Sequence, residues 1–137
     1  MIVMEDRGFT NTPAPFEFSA PDTASDAWDV DGALTLAELP DGYGATQAIR
    51  IHFGGYADGR GFTLAAQLRR AGYTGHLRAT GPLIADQYAM ARRSGFDDVQ
   101  VQPDIAERQP EDQWLARADW RQNSYQNRLR GAALSTG

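Results

Sequence analysis

Apolar and polar residues alternate from Gln47 to Phe53 (Gln-Ala-Ile-Arg-Ile-His-Phe), with Ile49, Ile51 and Phe53 on one side. A period of two with β-branched residues predicts a strand. Beyond the glycine-rich stretch 54–61 the period lengthens. Leu64, Ala65, Leu68 and Ala71 recur at helical spacing, Arg69 and Arg70 occupy the last turn, and Gly72 stands where a helix ends in the left-handed conformation. This predicts a helix starting near Gly61 or Phe62. The same reading gives a strand at His76–Thr80, a helix from Pro82 to Ser94 closed by Gly95, a strand at Asp98–Gln102 and a long helix from about Pro110 to Arg130.

Two of these units echo each other. Arg69-Arg70-Ala71-Gly72-Tyr73 and Arg92-Arg93-Ser94-Gly95-Phe96 stand 23 residues apart, each just before a strand. That offset suits one helix–strand step of a parallel sheet, and the aromatic after each glycine can fold back on the helix it ends. The predicted fold class is α/β: a small parallel sheet of βα units with right-handed crossovers, Rossmann-like or half-barrel-like. It carries an irregular acidic N-terminal segment and the long C-terminal helix. The chain reads as one domain, with 1–45 as an acidic, loop-rich covering segment, 46–109 as the βαβαβ unit and 110–137 as the C-terminal helix and tail.

Each predicted strand is apolar on one face only, whereas doubly wound sheets are apolar on both. The other face carries Arg50, His52, His76, Arg78, Gln100 and Gln102. It could be covered by residues 1–45, packed on a second copy, or left open as a site. Charge bears on this choice, because residues 1–45 hold nine acids against Arg7 alone, while 46–137 hold twelve arginines against nine acids. The two parts are complementary in sign. A surplus of three cations is far from a nucleic-acid footprint, and no partner of that kind is expected.

All 13 cations are arginine, and cysteine is absent. Schiff-base lysine chemistry, a thiol nucleophile, a disulfide and a thiolate metal or iron–sulfur site are thereby excluded within this chain. With only His52 and His76 besides carboxylates, no metal and no resident cofactor are expected. The run Met1–Met4 before Glu5 and Asp6 is too short for a signal peptide, and no stretch reaches the ~18 apolar residues of a membrane span, so a cytoplasmic location is expected.

Ligands of parallel α/β units bind at the carboxyl ends of the strands. The residues there are His52, the loop Asp58-Gly59-Arg60-Gly61, and Gly81 with Asp86 and Gln87; Arg78 lies on a neighbouring strand. A helix start beside Arg60 offers amide groups and a two-pronged cation to an oxyanion, with Arg78 as a second cation and His52 as a titratable neighbour. The structural alternative has Arg60 paired with Asp58 or Asp86. The glycines do not make G-x-G-x-x-G, and a P-loop lysine is absent. Near the C-terminus, the spacing of Trp114 and Ala118 suits core packing of the first two turns of the last helix, and Trp114, Trp120, Tyr125 and Arg128 are partner-binding candidates, for another protein or a second copy.

Phe53-x-x-Tyr56-x-Asp58-Gly59-Arg60-Gly61-Phe62-Thr63, Leu68-Arg69, Gly72-Tyr73-x-Gly75-x-Leu77-Arg78-Ala79-x-Gly81, Asp86-Gln87 and Ser94-Gly95-Phe96-Asp97 resemble the bacterial domain-of-unknown-function family nine-three-four. The match spans roughly residues 49–97, and Tyr125-Gln126-x-Arg128-Leu129 is similar to the tail of some members. Members usually have an acidic residue at position 52, and Pro-Lys-like residues where this chain has Gly54-Gly55. The resemblance implies an extra strand and helix within Phe16–Leu39. It also implies a setting beside assimilatory sulfite reductase and sulfate activation, with sulfite reductase or another sulfur-assimilation protein as partner. Some members bear an oxidoreductase label, which implies a diffusible nicotinamide or flavin as the alternative.

Overall fold

The chain opens with an antiparallel hairpin, β1 (Ile2–Glu5) and β2 (Gly8–Thr10), turned at Asp6-Arg7. Four mutually parallel strands follow: β3 (Ala27–Asp31), β4 (Ala48–His52), β5 (His76–Gly81) and β6 (Asp98–Val101). β1 pairs antiparallel with β6, so the six-stranded sheet has the order β2-β1-β6-β5-β4-β3. Helix α1 (Arg60–Arg70) joins β4 to β5, and α2 (Tyr88–Ser94) joins β5 to β6. Two short helices, α3 (Pro103–Arg108) and α4 (Glu111–Leu115), follow β6. The structure, a computed structural model, describes residues 1–22, 24–55 and 57–121.

Alternation along the strands divides the sheet into two faces. Trp28 and Val30, Ile49 and Ile51, Leu77 and Ala79, and Val99 and Val101 all point to one side. There they form a single cluster with Leu64, Ala65 and Leu68 of α1, Tyr88 and Ala91 of α2, Ile105 of α3 and Trp114 of α4. Each large aliphatic side chain buried this way is worth about 1.5–3 kcal/mol, so this face outweighs any surface ion pair in holding the fold.

The 23-residue echo resolves into one device used twice. The amides of Gly72 and Tyr73 donate to the carbonyls of Arg69 and Leu68 at 3.0 Å each, and Gly95 and Phe96 donate to Arg92 and Ala91 at 3.1 and 3.0 Å. Gly72 and Gly95 have φ of 95° and 114°, the left-handed conformation that such a helix ending requires. The first arginine of each pair then clamps the ending. Arg69 donates to the carbonyls of Tyr73, Gly75 and Gly95 at 2.8–3.0 Å, and Arg92 donates to that of Phe96.

Three expectations are corrected. Residues 1–45 are not an irregular segment, for they supply β1, β2 and β3, half the strands of the sheet. The first two strands are four and three residues long, and the apolar alternation of Ala27–Asp31 is crowded by acids, so the pattern is easily passed over. The long helix expected from about Pro110 to Arg130 is present among the described residues only as α4, set off from α3 at Gln109-Pro110 and followed by turns from 116 to 121, while 122–130 lie outside the described residues. Proline lacks the N–H that a continuous helix would use, and it disfavours helical geometry in the residue before it. Pro82 likewise does not start a helix, since a 3-10 turn at Ala85–Gln87 precedes α2.

Candidate functional site

Parallel register sets Asp29, Arg50, Arg78 and Asp98 side by side across β3–β6 on the polar face. Two like charges on neighbouring strands would repel, but each arginine is held from its outer side by a carboxylate. Arg50 donates Nε and Nη2 to Asp29 at 2.6 and 2.8 Å; Arg78 donates the same atoms to Asp98 at 2.9 and 3.1 Å. A histidine joins each pair, His52 Nε2 lying 2.7 Å from Asp29 and His76 Nε2 lying 2.9 Å from Asp98. Arg50 Nη1 also reaches Gln100 at 3.0 Å. Burial pushes the Asp98 carboxyl up, yet the bonds from His76 and Arg78 outweigh it and hold the group below its ordinary range. Asp29 follows the same balance, with Arg50 and His52 as donors.

Residues 14–18 lie over this ladder. The Ala14 carbonyl accepts from Arg78 at 3.2 Å, and the Phe16 ring sits 5.1 Å from that of His76. The Phe18 ring covers both guanidiniums, 4.6 Å from Arg50 and 5.7 Å from Arg78. Arg78 is 1 % exposed as a result. It is therefore a structural cation here, and the expected oxyanion pocket shared by Arg60 and Arg78 is not assembled. His52, one row nearer the carboxyl ends of the strands, remains exposed.

The loop entering α1 is built differently. The Asp58 carboxylate accepts from Arg60 three times, from Nε at 2.9 Å, Nη2 at 2.8 Å and the backbone amide at 3.2 Å. The Arg60 side chain is 66 % exposed, and its bonds hold the Asp58 carboxyl down at about 2. Asp58 raises Arg60 in return, with a smaller contribution from Asp31. Gly61 is buried on the Phe53 ring, where a Cβ would come within 2.5 Å, so the start of α1 is pinned to the end of β4. Gly59 carries the cap position in the open, and Gly81 lies against the Phe53 backbone.

The remaining candidates are scattered. Asp86 pairs with Arg117 at 2.7 Å on the surface, and Gln87 accepts from the Ile84 amide at 3.0 Å. Trp114, a candidate for the core as well as for a partner surface, takes the core position: it is completely buried between the Phe9 and Tyr88 rings and donates to the Gln109 carbonyl at 3.0 Å. Trp120 donates to Asp6 at 3.2 and 3.3 Å, and Arg92 and Arg121 each lie 4.9 Å from its ring. Asp6 also receives Tyr88 and Arg92, which ties the β1–β2 turn to α2. Tyr125 and Arg128 lie outside the described residues. Asp29, Asp98, Phe18 and Asp6 were not singled out by sequence. Asp29 and Asp98 do occupy polar-face positions of their strands, but which arginine each would meet depends on register.

Among the described residues no group of three or more histidines or carboxylates is placed to hold a metal ion, and no helix is long and apolar enough to cross a membrane. Fold and site together define a small α/β protein with a partly buried charge ladder on one sheet face and, at the carboxyl end of β4, a loop whose arginine is held by its own carboxylate. The chain belongs to a family of bacterial proteins of unknown function, DUF934, whose model matches residues 29–134, from within β3 through α4 and beyond. Neither the curated proteins nor the solved structures give a match.

Proposed function

We propose that this protein is a cytoplasmic accessory protein of sulfur assimilation that takes a small oxyanion, or a carboxylate of a partner protein, at the Asp58–Arg60 loop. The observation that carries this reading is the role Asp58 plays in the structure. Its carboxylate occupies both prongs of the Arg60 guanidinium and the first amide of an 11-residue helix, the donor set that suits an oxyanion. An exposed ion pair contributes little to stability, so its internal carboxylate can yield to an external anion at small cost. The sulfur setting comes from the family resemblance alone. The oxidoreductase alternative rests only on a label, and the burial of Trp114 removes one of the aromatic anchors on which a pure interaction module would depend.

Calorimetry with sulfite, sulfate, phosphate and adenylyl sulfate tests the reading. Saturable binding of at least one oxyanion is expected in the wild type, tightened about tenfold in Asp58→Asn, where the internal competitor loses its charge, and lost in Arg60→Ala. Binding that ignores both substitutions, or no binding in either the wild type or Asp58→Asn, would contradict it.

A further inference from the structure

A second place at the carboxyl end of the sheet has the form of a small-molecule site, independent of the Asp58–Arg60 loop. Between the residues that leave β5 and β6 and the helix α3 lies a cavity of about 450 Å³. That volume falls within the ~300–1,000 Å³ typical of ligand pockets. Pro82, Ile84 and Ile105 supply its apolar lining. Its polar lining is dominated by amides, those of Gln102, Gln109 and Gln113. The charged pair present, Asp104 and Arg108, is self-neutralised at 3.2 Å, so the cavity presents no net charge.

The amides are partly committed in a way that defines what they can offer. Gln109 accepts from the Ala85 amide at 2.8 Å through its side-chain oxygen, which leaves its amide nitrogen as a donor. Among the described residues Gln102 and Gln113 make no side-chain hydrogen bond, and each keeps an adjacent donor and acceptor. By contrast, the cavity of about 480 Å³ at the opposite end of the strands is lined by Arg69 and Arg92, whose guanidiniums are already committed to backbone carbonyls and carboxylates.

We propose that the cavity between β5, β6 and α3 binds an uncharged nucleobase or nucleoside. Branched aliphatic side chains and proline pack on the flat faces of a heterocycle. A glutamine amide matches the neighbouring donor and acceptor on its edge, the pairing by which glutamine reads adenine. The one cation of the lining, Arg108, is paired with Asp104, so the charges sum to zero and favour a neutral ligand over a nucleotide, whose phosphates would meet the Asp104 carboxylate beside Arg108.

Titration of the full chain with adenosine, guanosine, cytidine and uridine, followed by calorimetry, tests this. At least one should saturate. Its affinity should fall about tenfold or more in Gln102→Ala, which removes one amide, and in Gln113→Trp, which crowds an exposed edge of the cavity without touching the core. The same nucleoside should bind Arg60→Ala as it binds the wild type, which separates this site from the oxyanion loop. Failure of all four nucleosides to saturate the wild type overturns the proposal. So does binding that both cavity substitutions leave unchanged, or that Arg60→Ala weakens.

Discussion

Asp98 is 1 % exposed and ionised, a combination that only its donors explain. Removing the carboxylate in Asp98→Ala leaves Arg78 buried without its counter-charge, and the expected loss is about 3–5 kcal/mol in urea unfolding at neutral pH. The sign of the pH dependence follows from the depressed value of the folded state. Its contribution is complete above the unfolded value of 3.8 and disappears as pH falls through the lower folded value. The wild type should therefore lose stability steeply below about pH 4, and Asp98→Asn less steeply over the same interval. Equal slopes would remove Asp98 from the explanation of acid unfolding. Little of this was visible in the sequence. Arg78 and His76 could be assigned to a polar face by alternation, but their shared carboxylate came from a strand 20 and 22 residues away, fixed by register.

Helix endings, in contrast, were legible. Glycine followed by an aromatic after a paired arginine predicted both left-handed endings, because the φ requirement is local. What the sequence could not separate was the two arginines of each pair. Arg69 gives its guanidinium to three backbone carbonyls, whereas Arg70 is exposed. Arg69→Ala should cost about 1.5–3 kcal/mol, the range for hydrogen bonds to charged groups, and Arg70→Ala should stay within about 0.5 kcal/mol. Thermal unfolding of the two variants compares them directly, and equal effects would contradict the clamp. The C-terminal segment is less legible for another local reason: Trp114 and Ala118 keep helical spacing although the chain after Leu115, to residue 121, forms turns that do not continue the helix.

At the scale of the molecule, sequence alternation foretold a one-sided sheet, and charge asymmetry pointed to the acidic front as a cover for its polar face. Phe16 and Phe18 do lie on that face, though contact there is made by aromatic rings and the Ala14 carbonyl rather than by the acids of the segment. The antiparallel addition of β1 beside β6 left no signal in the sequence, because its paired residues stand 95 to 99 apart along the chain. The same covering decides which arginine a ligand can reach. Arg50 and Arg78 are engaged beneath Phe18, while Arg60 stands at the surface, paired with Asp58 of its own loop.

The most direct test is a nuclear magnetic resonance spectrum of the arginine Nε–H groups during a sulfite titration of the full chain and of Asp58→Asn. The Arg60 signal should move and saturate, at lower sulfite concentration in Asp58→Asn, while those of Arg50 and Arg78 stay in place. Movement of Arg50 or Arg78 in place of Arg60, or no movement of Arg60 in either protein, would contradict the assignment of the exchangeable site to the Asp58–Arg60 loop.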